Sequence, residues 1–182
     1  MDKIENTIAV YERLRKQKYR ITIENGTSFV LEFKPEHYHH LAGYHYLTDR
    51  IDICDPPFGK RKFYRSVKNK LIDSVSITTS ELFASVSDRI DYFGYLEEIL
   101  TEAECKIIVE FDPIKADSDI VAKYFLFKRV GNSLLKEPVT YFNLFIGYDD
   151  DAKYYFPATY TVERSKKYVN EQKMLDCRIE LI

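Results

Sequence analysis

The chain has 182 residues, a formal net charge of −2 and 45% hydrophobic residues, and its aromatic residues are all Tyr and Phe. This length predicts one domain over residues 1–182, and the balanced charge excludes strong overall attraction to nucleic acid or anionic lipid. Three widely spaced cysteines without a C-x-x-C pair favour a reducing cytoplasm and exclude a cysteine-based zinc site. The N-terminus lacks a signal-peptide pattern, and no apolar run is long enough to predict a membrane span.

The first part of the chain predicts a helix followed by a β-hairpin. Apolar residues recur at helical spacing in the segment 1–18, at Ile4, Ile8, Tyr11 and Leu14. Residues 19–33 alternate apolar and polar side chains on both sides of Asn25-Gly26, a dipeptide typical of a hairpin turn. Pro35 then ends the second strand.

The rest of the chain predicts a helical section and then a sheet. Section 60–104 contains a basic amphipathic pattern at 60–72 and a second helical pattern at 88–103. From residue 105, runs rich in aromatic and branched residues follow one another without a long helix between them. We therefore predict the α+β class: an N-terminal helix and hairpin, a helical middle section and a C-terminal antiparallel sheet of four or five strands.

All four histidines of the chain fall within nine residues, in the segment EHYHHLAGYHYLTDR: His37, His39, His40 and His45. Histidine titrates near neutral pH and is the commonest metal ligand. The segment directly follows the second hairpin strand, and a loop held by a strand is a common place for a functional site. A surface segment without chemistry would also fit this pattern.

Two kinds of chemistry fit a histidine cluster. Three imidazoles, such as those of His37, His40 and His45, can ligate zinc, but Gly43 predicts a turn there and no acidic residue has a known ligand spacing. Metal-free cleavage of RNA needs a base for the 2′-hydroxyl, an acid for the 5′-oxygen and a cation for the phosphate. The chain lacks glycine-rich phosphate-binding motifs, which argues against a nucleotide-dependent enzyme. Metal-free cleavage of RNA requires no metal and no cofactor, and we expect none if this chemistry applies.

Further residues for RNA cleavage and binding lie outside the histidine segment. Lys128 at a strand end supplies a cation, and the hydroxyls of Thr159 and Thr161 point to one face of a strand. The candidates for contacts with the RNA backbone are Lys60, Arg61, Arg65, Arg129 and Arg164. The acidic stretch SDRIDYFGYLEEILTEAE contains one base, Arg89. Each of these residues also has an ordinary explanation as a solvated or packed side chain.

The order of these parts resembles a known family. Phe33-Lys34 ends a strand, the turn His40-Leu41-Ala42-Gly43 follows, and FPATYTVERSKKYVNEQK lies in a late, aromatic sheet. Over roughly residues 20–182 this resembles the phage-associated nuclease-like domains of the Barnase–EndoU–colicin–RelE group, in particular the fourth phage-linked subgroup. The resemblance implies an α+β fold and metal-independent RNase activity in prophage or toxin settings. It also implies roles for His40 with Gly43, and for Lys128, Thr161 and Gln172.

We therefore hypothesise a cytoplasmic, metal-independent endoribonuclease. In this hypothesis His40 is the general base, His37 or His45 is the acid or an orienting group, Lys128 stabilises the phosphate charge, and Thr161 hydrogen-bonds a phosphate oxygen. RNA, with tRNA as one candidate, is the expected substrate, and an antitoxin or phage protein is a candidate partner. The alternatives are an inactive protein-interaction module or a protein that holds a metal through its histidines.

Overall fold

The computed structural model describes residues 2–102, 107–132 and 137–182. Helix α1 (Lys3–Arg15) begins after Asp2, whose carboxylate accepts hydrogen bonds from the backbone N–H groups of Ile4 and Glu5. The other helices are α2 (Tyr38–Leu41), α3 (Ile51–Cys54), α4 (Lys60–Lys68), α5 (Ser74–Thr78), α6 (Ala84–Asp91) and α7 (Tyr95–Thr101). Two short 3₁₀ turns, Pro35–His37 and Tyr44–Tyr46, flank α2. No helix among the described residues combines the length and the apolar character needed to cross a bilayer.

The described strands form one antiparallel sheet of seven strands, in the order β2-β1-β7-β3-β4-β5-β6. They are β1 (Lys18–Ile23), β2 (Ser28–Glu32), β3 (Ile107–Glu110), β4 (Tyr124–Val130), β5 (Thr140–Asp149), β6 (Tyr154–Glu163) and β7 (Lys173–Leu181). A β-bulge interrupts the pairing of β5 with β6 after Phe145. The bulge changes which side chains of β6 face each side of the sheet.

The two faces of the sheet are covered differently. On one face the helices pack through buried aromatic rings, for example Tyr11 of α1 against Tyr38 of α2 at 5.1 Å between ring centroids. Tyr160 of β6 points into this core and donates a hydrogen bond to the carbonyl of Tyr92. The opposite face carries a smaller aromatic cluster, formed by Phe111, Phe125, Phe145 and Tyr168.

The first and last strands of the sheet lie close together. The ring of Phe29 on β2 stacks on that of Tyr155 on β6, with 4.0 Å between centroids, and also on that of Tyr124 on β4. Because the histidine segment leaves directly from β2, it lies beside β6, where the ring of His37 packs against that of Phe156. The curvature of the sheet therefore places the histidines next to the threonines of β6.

The prediction of helices with an antiparallel sheet is confirmed, but the predicted layout of the strands is wrong. The hairpin is not separate from the C-terminal strands, because β1 pairs with β7 and so joins all seven strands into one sheet. Strand β1 buries alternate side chains, and its second neighbour comes from the far end of the chain. Local alternation predicts a strand but does not identify a partner so distant in sequence.

Three predicted helices have different bounds in the structure. The N-terminal helix ends at Arg15, since β1 begins at Lys18, and the helix at 60–72 ends at Lys68, shortly before Lys70 adopts a left-handed φ of 58°. The segment 88–103 contains the end of α6 and the whole of α7, which are separated before Tyr95 by residues that include Gly94, a residue type with low helix propensity. Residues 103–106, the end of the predicted helical section and the start of the first C-terminal strand, lie outside the described residues. The assignment of residues 1–182 to a single domain stays a prediction.

Gly43 determines the conformation of the histidine segment between α2 and the second 3₁₀ turn. Its φ is +82°, and a Cβ at this position would lie 3.0 Å from Cδ of Arg89 and from Cγ1 of Val86. We expect Gly43→Ala to destabilise the fold by about 1–2 kcal/mol, because an L-residue is strained in the left-handed region. The measurement is the free energy of unfolding from urea denaturation.

Gly94→Ala is the matched control for this prediction. Gly94 has a helical φ of −59°, and a Cβ there would meet no atom within 4 Å. We expect this substitution to leave stability unchanged or to raise it by up to about 1 kcal/mol. A Gly43→Ala protein as stable as the Gly94→Ala protein would contradict the conformation assigned to Gly43.

Candidate functional site

The histidine segment is held by two buried tyrosines that alternate with its histidines. Tyr38 and Tyr44 are both fully buried, and their hydroxyls lie 3.1 Å apart. The hydroxyl of Tyr38 also lies 2.7 Å from that of the buried Thr7 on α1, and the Thr7 hydroxyl donates a hydrogen bond of 2.8 Å to the carbonyl of Ile4. A chain of buried hydroxyls therefore ties the segment to the first helix, since each of these groups is costly to bury unbonded.

A cleft opens where this segment meets β6. Its volume is about 580 Å³, and the polar groups that line it include His40, His45, Arg89, Thr159, Thr161 and Glu163. Of the four histidines, His40 and His45 line this cleft. The sheet and the histidine segment thus bring imidazole, guanidinium, hydroxyl and carboxyl groups to one place.

The imidazole rings of His40 and His45 lie next to each other, with 4.6 Å between their centroids. Burial lowers the pKa of His40 to about 4, and the nearby ammonium of Lys60 acts in the same direction. Burial likewise lowers the pKa of His45 to about 3, with further effects from His40 and Arg89. Both rings are therefore neutral at pH 7, and each carries one proton and one lone pair.

Hydrogen bonds restrict which nitrogen of each ring can react. Nε2 of His40 lies 2.5 Å from Nζ of Lys60. Since an ammonium only donates, Nε2 accepts this bond and the proton of the neutral ring is on Nδ1. Nδ1 of His45 is buried and has no hydrogen-bond partner among the described residues, so Nε2 is the nitrogen of His45 that a molecule in the cleft can reach without a movement of the ring.

The other two histidines, His39 and His37, make hydrogen bonds and ring contacts within the fold. His39 is fully buried, and its Nε2 donates a hydrogen bond of 2.7 Å to the carbonyl of Ile53, while its Nδ1 has no partner in the part of the chain that the structure describes. His37 packs against Phe156, and its Nδ1 accepts a hydrogen bond from the backbone N–H of Lys34. Burial lowers the pKa of both rings, that of His37 to about 4.

Arg89 of α6 places a cation in the cleft. Its guanidinium stacks over the ring of Tyr46 at 4.8 Å, and Nη1 donates a long hydrogen bond of 3.4 Å to the hydroxyl of Thr159. No carboxylate of the described residues lies within salt-bridge distance of it. An unpaired guanidinium next to neutral imidazoles is suited to binding an anion.

Hydroxyl and carboxyl groups complete the cleft. The hydroxyl of Thr161 accepts a hydrogen bond of 3.2 Å from the side-chain amide of Asn143, and no acceptor among residues 2–102, 107–132 and 137–182 takes its own proton. Burial raises the pKa of Glu163, the next cleft residue along β6. Asp117, Asp119 and the ammonium of Lys167 also line the cleft, so its charge is mixed.

Lys128 lies away from this cleft. Its ammonium binds the carboxylates of Glu98 and Glu102 at 2.6 and 2.5 Å. Lys128 pairs with Phe142, which pairs with Val162, so these three side chains share one face of the sheet. Thr161 precedes Val162 and points to the opposite face. The structure therefore does not bring the predicted phosphate cation, Lys128, together with the predicted hydroxyl, Thr161.

The five residues predicted to bind RNA are not on one surface. Lys60 contacts His40, Arg61 pairs with Glu36 at 3.1 Å, and Arg65 is exposed on α4. Arg129 and Arg164 line a second cleft of about 550 Å³, where Arg164 also pairs with Asp88. Part of the charge of the basic helix is compensated, since Lys68 also pairs with a carboxylate, that of Glu12. Their role in RNA binding stays a prediction.

The cleft contains residues that the sequence analysis did not select. Arg89, Glu163 and Lys167 approach the histidines only through the packing of α6 and the end of β6 against the histidine segment. A signal for Arg89 existed, because it is the one base in an acidic stretch. Gln172 was implied by the resemblance, but its side chain binds the backbone of Asp112 through both amide atoms, which is a structural role.

The depressed histidine pKa values predict a pH-dependent stability. The folded chain holds His37 and His40 at a pKa of about 4 and His45 at about 3, whereas an unfolded imidazole titrates near 6.5. The unfolded state therefore binds more protons, so stability is complete above about pH 6.5 and falls as the pH approaches 4. Each histidine contributes up to about 1.4 kcal/mol per pH unit.

Urea denaturation between pH 6.5 and 5 measures the predicted loss of stability. Most carboxylates stay ionised in this window in the folded and in the unfolded chain, so the histidines dominate the change. The measurements are made with a chelator present. We expect the free energy of unfolding to fall with decreasing pH, and to fall less steeply in His45→Gln. A wild-type stability that is flat over this window would show that the histidines are not buried as neutral groups.

Comparison with known proteins identifies the family of this chain. The model of the family described as phage-Barnase-EndoU-ColicinE5/D-RelE like nuclease4 (PBECR4) matches residues 3–176. No curated protein and no solved structure matches the chain. The match includes the histidine segment, α6 and β6, and it confirms the family predicted from the sequence. The chain belongs to the phage-Barnase-EndoU-ColicinE5/D-RelE like nuclease4 family.

Proposed function

We propose that this protein is a metal-independent endoribonuclease whose reaction takes place in the cleft between the histidine segment and β6. The observation that carries the proposal is the unpaired guanidinium of Arg89 beside the two neutral imidazoles of His40 and His45. RNA cleavage by its own 2′-hydroxyl needs a proton acceptor, a proton donor and a cation at the phosphate. The cleft offers all three types of group.

The accessible lone pairs favour His45 as the base. Its Nε2 takes the proton of the 2′-hydroxyl, and the 2′-oxygen attacks the adjacent phosphorus. The bond from phosphorus to the 5′-oxygen then breaks and leaves a 2′,3′-cyclic phosphate. The sequence-based hypothesis assigned the base to His40, but that role would require Lys60 to release the lone pair on Nε2 of His40.

His40 is better placed as the proton donor. In its neutral ring Nδ1 carries the proton, which passes to the departing 5′-oxygen, while the ammonium of Lys60 supplies a proton to Nε2 from behind. His40 and His45 thus exchange the roles of base and acid that the sequence-based hypothesis gave them, and both stay in the reaction. His37 does not line the cleft, and we give it no role in proton transfer.

Arg89 takes the role that the sequence analysis gave to Lys128. A guanidinium can bind two phosphate oxygens in a fixed geometry as negative charge develops in the transition state. Thr161 keeps its predicted role, because its free proton can be donated to a phosphate oxygen. Thr159, which already contacts Arg89, lies on the same side of β6.

The proposal includes the expected biological setting. The substrate would be RNA, and tRNA is one candidate. The protein would act in the cytoplasm, and its partner would be an inhibitory antitoxin or another phage protein. The mixed charge of the cleft, which Asp117 and Asp119 also line, favours a defined binding mode for RNA over nonspecific binding of any polyanion.

The proposal is tested by incubating the protein with mixed RNA in a buffer that contains a chelator. DNA of the same sequences is the substrate control. We expect cleavage of RNA only, and a loss of about 100-fold or more in the rate constant for His40→Ala, His45→Ala and Arg89→Met. Arg178→Met is the matched control for Arg89, because Arg178 is an exposed residue of β7 that pairs with Glu180. It should cleave at the wild-type rate.

Lys60→Met distinguishes the two assignments of the histidines. If His40 is the proton donor supplied by Lys60, the rate falls; if His40 is the base, removal of the ammonium frees its lone pair and the rate is kept or rises. Absence of cleavage by the folded wild-type protein, or cleavage unaffected by all three cleft substitutions, would reject this site and favour an inactive interaction module.

A further inference from the structure

We propose that His39, His40 and His45 form a binding site for a transition-metal cation. The cation is Zn²⁺, and a water molecule is its fourth ligand. Each of these residues offers a ring nitrogen, and the three nitrogens lie within 4.8 Å of one another. This triad differs from the set considered from the sequence, because the buried His39 replaces His37. The inference is independent of the proposed nuclease reaction.

His39 is oriented as a metal-binding histidine would be. Its Nε2 donates a hydrogen bond to the carbonyl of Ile53, which fixes the proton on Nε2 and leaves the lone pair on Nδ1. Metal-ligating histidines commonly donate their second ring N–H to a carbonyl or carboxylate in this way. The hydrogen bond therefore prepares Nδ1 of His39 to bind a cation.

Two nitrogens of the triad are buried without any partner. Nδ1 of His39 and Nδ1 of His45 have no hydrogen bond within the described part of the chain, and their surface is inaccessible. A buried polar atom without a partner costs about 1–3 kcal/mol. Coordination of one cation by both nitrogens would remove this cost, and imidazole is a good ligand for zinc.

Small movements would complete the site. Two nitrogens bound to one zinc lie roughly 3.3 Å apart, so the rings have to approach by up to about 1.5 Å. His40 and His45 line the open cleft, which gives the cation a path of entry and room for water. Three protein ligands plus water are a common zinc arrangement.

The charges around the triad act in both directions. Lys60 holds His40 through Nε2, and Arg89 is the second cation close to the rings. Glu163, Asp117 and Asp119 line the same cleft and offset part of this positive charge. Lys60 therefore competes with a metal for His40, and its removal should strengthen binding. A metal bound to Nδ1 of His45 would leave the proton of that ring on Nε2, and it would also hold His40, so it would inhibit the proposed RNA cleavage.

The test uses Co²⁺ as a spectroscopic probe for the zinc site, with Zn²⁺ as competitor, on the full chain after treatment with a chelator. We expect one Co²⁺ per chain with visible absorption typical of a four-coordinate ion, and displacement of Co²⁺ by Zn²⁺. His45→Ala should weaken binding by at least about 100-fold. His37→Ala is the matched control, since His37 belongs to the same segment but lies outside the triad, and it should bind as the wild type does.

Lys60→Met provides a test that does not depend on loss of a ligand. Its affinity should exceed that of the wild type, because the competing ammonium is gone. Circular dichroism checks that each variant is folded. No bound Co²⁺ in the wild type, equal loss in His37→Ala and His45→Ala, or weaker binding by Lys60→Met would overturn the proposal. These outcomes are read from metal binding alone, so they do not depend on whether the protein cleaves RNA.

Discussion

The attachment of the histidine segment to the first helix is the constraint on which the site depends. Thr7, Tyr38 and Tyr44 join their hydroxyls in a buried chain, and the two tyrosines alternate with the histidines in sequence. Each such hydrogen bond contributes about 1 kcal/mol, and each buried hydroxyl left without a partner would cost more than that. The chain of hydroxyls and the left-handed Gly43 together fix the direction in which His40 and His45 point. The close approach of β2 and β6 then supplies the opposite wall of the cleft.

Burial next to cations gives these histidines their chemical character. Desolvation keeps His40 and His45 neutral, and Lys60 and Arg89 add to this effect. A neutral imidazole at pH 7 can accept a proton from an RNA hydroxyl, and it can also ligate a metal. The two proposals therefore compete for the same two rings, because a cation bound at Nδ1 of His45 would leave the proton of that ring on Nε2, the proposed base. Lys60 is the side chain that separates them, since it supports proton donation by His40 and opposes metal binding.

Local sequence patterns predicted much of the fold and, within the cleft, the position of the histidine segment. The hairpin, the strand-rich C-terminal part of the chain and the position of the histidine segment after β2 follow from alternation, turn residues and Pro35. The rest of the fold and of the site depends on contacts between segments that are distant in sequence, and local patterns do not encode such contacts. These contacts are the pairing of β1 with β7, the packing of Arg89 against the histidine segment, and the strand pairing that sets the face of the sheet from which Lys128 projects. Sheet order and register determine that Thr161 faces the cleft and Lys128 does not. The bulge in β6 could not be anticipated from alternation alone.

The most direct test of the account is whether RNA occupies the cleft at His40 and His45. The measurement is the NMR shift of the imidazole signals during titration with a 2′-O-methylated RNA, which binds but cannot be cleaved, in the presence of a chelator. The account predicts large shifts for His40 and His45, smaller ones for His37 and His39, and their loss in Arg89→Met. Binding that shifts none of the imidazole signals, or shifts that persist fully in Arg89→Met, would contradict it.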